Sequence, residues 1–164
     1  RINPKTNAVK NYLLESGGFG DNKVFCLYED KEGTLWAGTN GSGIFYLDEN
    51  KQQFVALNDE HKENFINTRA YVSAIQQDYQ GALWVATMYG LYKITKDSQG
   101  GFAYQLFRNE VNTKCLNNAS FQYVYEDSDK NLWVGTTDNG LNVKRYQTDY
   151  FEAIKKEDGL QAIP

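Results

Sequence analysis

A stretch of ten residues that occurs three times constrains the fold of this chain more than any other feature. The first copy begins at Asp30 and ends at Thr39, and the other two occupy residues 78–87 and 127–136. All three tryptophans of the protein hold the same position in this stretch, and successive copies lie 48 and 49 residues apart. Because a period of about 20–50 residues is typical of repeat architectures, we expect the chain to be built from stacked units.

Each repeat carries the pattern of four short strands joined by tight turns. In the first repeat, the mainly apolar run from Val24 to Glu29 predicts an inner strand that is covered on both faces. Asp30 and Gly33 then favour a turn, because a carboxylate can accept backbone N–H groups and glycine tolerates positive φ. Further short apolar runs, separated by turn residues, complete the unit. Each unit therefore predicts an antiparallel meander.

Units of this kind predict an all-β protein made of β-propeller blades, each a four-stranded antiparallel meander. β-Solenoids repeat at a shorter period, and the 3.6-residue periodicity of helical repeats is absent. We assign residues 22–57, 70–107 and 119–154 to three blades. Residues 1–14 are assigned to the outer strand of a preceding blade, and residues 155–164 to the start of a following one. The prediction for residues 1–164 is thus an incomplete propeller of about three blades.

The number of blades has a geometric consequence. Propellers close with about four to eight blades, so three blades would leave two faces open. Open faces would expose more apolar surface than a monomer usually does. We therefore expect either that the chain is a piece of a longer protein, as its start at Arg1 without Met suggests, or that it self-associates through these faces.

Composition argues against several classes of function. The formal net charge is −4, the pI is about 5.0 and no basic cluster occurs, which argues against nucleic-acid binding. The sequence contains no run of about 18 apolar residues, so it predicts no membrane-spanning helix. Cys26 and Cys115 are too few for a disulfide framework, and Cys26 lies in an apolar run that predicts a buried free thiol.

The repeat resembles the two-component regulator propeller over essentially the whole chain. That family's pattern is a Val-containing inner strand ending in Glu-Asp, a Gly turn, a Leu-Trp-Ile/Val-Gly-Thr segment and a Gly-Leu pair that opens the next strand. The third copy shows Glu126-Asp127, Leu132-Trp133-Val134-Gly135-Thr136 and Gly140-Leu141. The departures from the pattern are Gln77 for Glu, Ala86 for Gly, Lys130 for the turn Gly and Phe121 for Val.

The resemblance implies a periplasmic sensing domain of a hybrid two-component histidine kinase of the kind found in Bacteroides relatives. In such proteins the usual stimuli are polysaccharide fragments, and the response is transcription of genes for glycan use. The resemblance places any kinase activity in another part of the longer protein.

The Asp and Trp that recur in each copy could bind sugar or could have a structural role in the blade. Three copies at the same register favour the architectural role, because one ligand site would not need every blade to present it. We therefore interpret these residues as structural: Asp30, Trp36, Asp78, Trp84, Asp127 and Trp133.

The sequence predicts no metal, no cofactor and no catalytic site. His61 lies in a polar loop, and no Cys/His spacing fits zinc. Asp138, Asn139 and Gly140 could contact Ca²⁺, but a turn explains them better. Glycoside hydrolysis needs two carboxylates beside one bond, and no convergent pair is visible.

One end of the blades is the predicted ligand-binding face. Loops that enter each inner strand and loops that join second to third strands share one end of a propeller. Amide, carboxylate and aromatic groups at this end would suit a glycan. The candidate residues are Asn40, Ser42, Arg69, Met88, Tyr89, Asn118, Asp138 and Asn139.

The leading hypothesis is a periplasmic sensor propeller that recognises an oligosaccharide or transmits its binding. Two alternatives stay open at this point. One is a propeller that binds no ligand and serves as a scaffold for dimerisation, and the other is a glycan-cleaving propeller enzyme.

Overall fold

The computed structural model of this chain describes residues 1–12, 23–57, 70–97, 101–108, 116 and 120–154. These residues form three separate four-stranded sheets, and no helix occurs among them. The strands are β1 (Val24–Glu29), β2 (Leu35–Thr39), β3 (Ile44–Asp48), β4 (Gln53–Ala56), β5 (Val72–Gln77), β6 (Leu83–Thr87), β7 (Gly90–Lys96), β8 (Phe102–Phe107), β9 (Phe121–Glu126), β10 (Leu132–Thr136), β11 (Leu141–Lys144) and β12 (Glu152–Ile154).

Each sheet is an up-and-down antiparallel meander in chain order, and we call the three sheets blades 1, 2 and 3. The first strands of neighbouring blades lie against one another, β1 beside β5 and β5 beside β9. This arrangement is that of consecutive propeller blades. The predicted all-β class and the incomplete propeller are confirmed.

The core between blades 1 and 2 is organised around Trp36. Its indole is buried between its own sheet and blade 2, where its ring meets the edge of Phe102 with centroids 6.0 Å apart. Val72 and Ile75 of β5 belong to the same apolar cluster. Burial of large aromatic side chains supplies much of the free energy that holds such blades together.

The core between blades 2 and 3 repeats this arrangement around Trp84. Its ring lies 5.8 Å from Phe151 of blade 3, measured between centroids. Leu116, Phe121 and Val124 complete the buried cluster. The tryptophans of blades 1 and 2 therefore each pack toward the blade that follows in the chain.

The N-terminal residues differ from their predicted strand. Ile2 and Val9 form a single isolated bridge, and the described residues 1–12 contain no longer strand. Asn7 adopts a left-handed φ of 56° and closes a turn there. Tyr12 packs edge-on against Phe54 of β4, with ring centroids 5.8 Å apart. The segment also contacts the turn before β4, where Lys10 Nζ donates to Gln52 Oε1 at 2.6 Å and Arg1 Nη1 lies 3.7 Å from Glu49 Oε1. It therefore meets blade 1 through side chains rather than through a strand ladder.

The prediction that β1 is covered on both faces is wrong. Leu27 is 62% exposed and Val24 is 45% exposed, because no blade among the described residues packs on that side of blade 1. Cys26 points toward blade 2 and is a free thiol, but it is half-buried rather than buried. Desolvation by this partial burial raises the pKa of Cys26 to about 11. The predicted role of Cys115 lies outside the described residues.

Candidate functional site

One end of each blade is closed by a turn that the Asp of the repeat organises. In blade 1, Asp30 Oδ1 accepts the backbone N–H groups of Glu32 and Thr34, at 3.1 and 2.7 Å. Asp30 Oδ2 accepts the indole N–H of Trp36 at 2.8 Å. Gly33 closes the turn with a φ of 82°, a conformation that a side chain disfavours. One carboxylate therefore fixes both the turn and the rotamer of the buried tryptophan.

The same contacts recur in the other two blades. Asp78 accepts the indole N–H of Trp84 at 2.8 Å, and Asp127 accepts that of Trp133 at 2.7 Å. The hydrogen bond from Trp133, with further bonds from Asn131 and Asp129, holds the pKa of Asp127 below its usual range despite some desolvation. These carboxylates are occupied by architectural contacts in every blade.

Neighbouring blades are joined by a hydrogen bond that also repeats. The residue before the Asp reaches back to the turn of the preceding blade. Gln77 Oε1 accepts the backbone N–H of Lys31 at 2.8 Å, and Glu126 Oε2 accepts that of Tyr79 at 2.8 Å. Gln77, which stands where the family pattern has Glu, therefore still accepts this hydrogen bond although its side chain carries no charge.

The opposite end of each blade presents the candidate ligand-binding loops, and the Thr of the repeat anchors them. The hydroxyl of Thr39 donates to the Gly43 carbonyl at 2.8 Å and accepts the backbone N–H of Ser42 at 3.1 Å. Thr87 makes the equivalent bonds to Gly90 and Tyr89. Thr136 makes them to Gly140 and Asn139. Each candidate loop is therefore held by a buried or half-buried hydroxyl directly below it.

Tyr71 links the loops of blades 1 and 2. It forms a bridge with Asn40, and its carbonyl accepts the backbone N–H of Met88 at 3.3 Å. Its ring stacks at a tilt on Phe25, with centroids 4.7 Å apart. Two predicted loop residues, Asn40 of blade 1 and Met88 of blade 2, therefore meet at Tyr71, whose aromatic partner Phe25 is exposed.

The remaining candidate residues fall into two groups. Tyr89 and Met88 are about half exposed at the tip of the turn between β6 and β7. Asp138 and Asn139 are exposed in the equivalent turn of blade 3, which Thr137 ties to Ser120 through a backbone hydrogen bond of 3.3 Å. Arg69 and Asn118 lie outside the described residues, as does His61.

The sequence prediction missed Phe25 and Tyr71. A β-bulge interrupts the start of each inner strand, at Phe25, at Ser73 and at Gln122. Bulges re-aim a side chain at the rim of a sheet. The sequence does carry a signal for the bulge position. When the three copies are aligned, this position holds Phe, Ser and Gln in turn, while the residues on either side of it are apolar or aromatic in every copy.

The described residues contain neither a metal-binding cluster nor a membrane-spanning helix. Among the described residues, no group of three or more His, Cys, Asp and Glu side chains is arranged to hold a metal ion. In the same residues, no helix has the length and apolar character needed to cross a membrane. The exposed side chains at this end of the blades include the aromatic rings of Phe25 and Tyr89 and the thioether of Met88.

Comparison with protein families gives three matches, each of which covers the first half of one blade. The model of the two component regulator propeller matches residues 18–41, 65–89 and 115–138. Each match includes one inner strand, the Asp turn and the tryptophan strand. No curated protein sequence matched the chain.

Solved structures show the same architecture. The extracellular domain of the hybrid two component system BT3049 from B. thetaiotaomicron is 28% identical, with a TM-score of 0.65 over 87% of this chain and 17% of that one. Virginiamycin B lyase from Staphylococcus aureus is 19% identical, with a TM-score of 0.64 over 96% of this chain and 48% of the lyase. PorZ from Porphyromonas gingivalis is 15% identical, with a TM-score of 0.60 over 84% of this chain and 20% of PorZ.

These likenesses differ in what they support. The lyase and PorZ show the propeller fold alone, because their identity to this chain is low. The chain spans 17% of the hybrid two component structure, so it corresponds to a small part of such an extracellular domain. Since each of the three matches falls on one blade, each blade contains a stretch that matches the two component regulator propeller repeat.

Proposed function

We propose that this chain is part of the periplasmic sensor propeller of a hybrid two-component signalling protein, and that its loop face recognises an oligosaccharide or transmits its binding. The observation that carries the proposal is the match of all three blades to regulator propeller repeats. The 28% identity to the extracellular domain of a hybrid two component system supports the same role and an extracytoplasmic location.

The loop face has the chemistry that such a ligand needs. Sugars present apolar ring faces and many hydroxyl groups, so their sites combine aromatic surfaces with a few fixed polar groups. Phe25, Tyr71 and Tyr89 supply aromatic surface at this end of blades 1 and 2. Asn40 lies beside Tyr71 and can hydrogen-bond a hydroxyl group. The threonine anchors hold these loops in place before a ligand arrives, which lowers the entropic cost of binding.

The segment is proposed to bind without catalysing a reaction. The Asp of each repeat is engaged with a tryptophan N–H and with turn N–H groups, at the end of the blade opposite the loop face. These groups are therefore poorly suited to act as acids or bases on a ligand held at the loops.

The first experiment is a calorimetric titration of the chain with a panel of host and plant oligosaccharides, followed by a length check of each sugar. We expect binding with the sugar recovered intact. Tyr71→Ala and Tyr89→Ala should each weaken binding about tenfold, which corresponds to about 1.4 kcal/mol. Shortened sugar would overturn the proposal in favour of an enzyme.

A matched control separates the loop face from the rest of the surface. Tyr146 is 40% exposed and lies in the turn between β11 and β12, at the end of blade 3 opposite the loops. Tyr146→Ala should leave the affinity unchanged. Equal weakening by all three substitutions would show that the loop face is not the binding surface.

A further inference from the structure

A cavity of about 400 Å³ lies between blades 1 and 2, at the end of the blades opposite the loop face. Its walls are the Asp turns of the two blades, the last residues of β7 and the first residue of β8. The volume falls in the range of about 300–1,000 Å³ that small-molecule sites occupy. Because the cavity lies between two consecutive blades, it does not depend on where the chain begins or ends.

Part of the cavity wall is apolar. Leu83 and Ile94 are buried side chains that line it, and the half-buried ring of Phe102 lines it as well. This ring contacts Trp36, whose indole N–H donates to Asp30, a further lining residue. An apolar group placed in the cavity would therefore be removed from water against these side chains.

The polar part of the wall carries one negative and one positive group. The Glu32 carboxylate accepts the side-chain N–H of Gln77 through Oε2, at 3.1 Å. Among the described residues, neither Glu32 Oε1 nor the Lys96 ammonium has a partner. In the same part of the chain, the side-chain amide of Gln80 and the hydroxyl of Thr95 also have none. All of these residues line the cavity, so it combines opposite charges with neutral hydrogen-bonding groups.

The charge at Glu32 results from an exchange between two repeat positions. At the junction of blades 1 and 2, Glu32 of the first Asp turn meets Gln77 of β5. At the next junction the amide and the carboxylate are exchanged, with Gln80 in the turn and Glu126 in β9. The Glu126 carboxylate is used in the bond to the Tyr79 N–H that joins the blades. Gln77 makes the equivalent bond with a neutral amide, which leaves the carboxylate of Glu32 at the cavity.

The junction of blades 2 and 3 also carries larger side chains at the equivalent positions. Gly81 and Lys96 correspond to Lys130 and Tyr146 in blade 3. Lys130 Nζ lies 4.9 Å from the ring centroid of Tyr146, and this ring lies 5.3 Å from that of Tyr79 in blade 2. The chain's own side chains therefore pack across that junction. Between blades 1 and 2, Gly81 has no side chain that could do the same.

We propose that this cavity binds a small zwitterion with an apolar body, the class to which apolar α-amino acids belong. Glu32 binds the ammonium group of the ligand, Lys96 binds its carboxylate, and Gln80 and Thr95 supply further hydrogen bonds. The apolar part of the ligand packs near Phe102. A neutral sugar would leave both charges of the cavity unpaired, whereas a zwitterion complements both. This site is separate from the loop face and does not depend on oligosaccharide binding there.

Calorimetric titration of the chain with leucine tests the site, together with two analogues that each lack one charge. Leucinamide lacks the carboxylate, and 4-methylpentanoate lacks the ammonium group. We expect leucine to bind and each analogue to bind at least about tenfold more weakly, because each loses a hydrogen bond between charged groups. Glucose should not bind in the cavity. No binding at millimolar leucine, or analogues that bind as tightly as leucine, would overturn the proposal.

Three variants test the residues. Glu32→Gln keeps an acceptor for the Gln77 amide and removes the negative charge, and Lys96→Gln removes the positive charge. Each should weaken leucine binding about tenfold, while Glu32→Gln should not weaken binding of 4-methylpentanoate. Thr95→Trp places a large ring at an exposed lining position and should abolish binding. Leucine affinities equal to that of the parent in these variants would overturn the proposal.

Matched controls remove the same charges elsewhere on the surface. Asp129→Asn and Lys5→Gln change exposed side chains that do not line the cavity. Both should leave the leucine affinity unchanged. Since all five variants alter exposed side chains, each should keep the far-ultraviolet circular dichroism of the parent. Equal weakening by the controls and the cavity variants would show that the binding reflects net charge rather than this site.

The indole N–H signals of the tryptophans show where the ligand lies. Trp36 donates to Asp30, which lines the cavity, whereas Trp133 donates to Asp127 in blade 3. In ¹H–¹⁵N spectra, leucine should shift the Trp36 indole signal and leave that of Trp133 unchanged. A shift of Trp133 without a shift of Trp36 would overturn the proposal. Leucine binding is measured without any oligosaccharide, so its failure is distinguishable from failure of the proposed function.

Discussion

At the scale of single residues, the same repeat position can tolerate different side chains in different blades. Gly38, Ala86 and Gly135 occupy one position of the repeated stretch. A Cβ added at Gly38 would lie 2.5 Å from both Cys26 Sγ and Val72 Cγ1. A Cβ at Gly135 would meet nothing closer than 3.6 Å. The difference arises because Val72 of blade 2 packs against Gly38, while no blade in the described part of the chain packs on that side of Gly135.

This contrast gives the first prediction. Gly38→Ala should lower the free energy of unfolding by about 1–3 kcal/mol, because the buried neighbours must move to admit the methyl group. Gly135→Ala should stay within about 0.5 kcal/mol of the parent. Urea unfolding of both variants, at a concentration where the parent is monomeric, measures the difference. Equal losses would show that the glycines are required by the backbone rather than by the neighbouring blade.

At the scale of structural elements, the Asp turn is the most regular feature of the chain. It combines a capped turn, a left-handed residue and a tryptophan clamp in each blade. Blade 3 uses Lys130 where the others use Gly, at a φ of 65°. The Lys130 ammonium lies 5.0 Å from the ring centroid of Tyr79 and 4.9 Å from that of Tyr146. These cation–π contacts offset part of the cost of the left-handed backbone.

The turn of blade 3 should give stability a specific pH dependence. The hydrogen bond from Trp133 lowers the pKa of Asp127 in the folded protein. A group whose folded pKa lies below its unfolded value stabilises the fold above the unfolded pKa, which is about 3.9 for Asp. That stabilisation is lost as pH falls through the folded pKa. The difference in unfolding free energy between the parent and Asp127→Asn should therefore be constant near neutral pH and shrink below about pH 4.

The control for this prediction lies in the same turn. Asp129 is two residues further on, and its carboxylate is not the acceptor of the Trp133 N–H. Urea unfolding of Asp129→Asn through the same pH range should not reproduce the Asp127 profile. A difference for Asp127→Asn that stays constant down to the lowest pH would contradict the assigned role of the indole hydrogen bond.

The elements also show which features a sequence can predict. The order of four strands per repeat was readable, because Asp30, Gly33 and Trp36 act within a few residues of one another. The exposure of β1 could not be predicted from the sequence. Leu27 and Ile75 are equally apolar, and Ile75 is buried only because a neighbouring blade packs against it. The contact of Phe25 with Tyr71 was missed for a similar reason: it joins two blades across a bulge. The role of the predicted loop residues in ligand binding stays a prediction.

At the scale of the whole molecule, the three blades differ in how many of their faces are covered. Blade 2 lies between two neighbours, and all five residues of β6 are buried. β10 is only partly buried and β1 is largely exposed. Repeat proteins in which units contact only their neighbours can open from their ends, so the free energy of local opening should fall from blade 2 outward.

Native-state hydrogen exchange provides the measurement. At a concentration where the chain is monomeric, amides of β6 should exchange more than tenfold more slowly than hydrogen-bonded amides of β10 and β1. A tenfold ratio corresponds to about 1.4 kcal/mol between the opening reactions. Uniform protection in all three blades would mean that the chain opens only as a single cooperative unit.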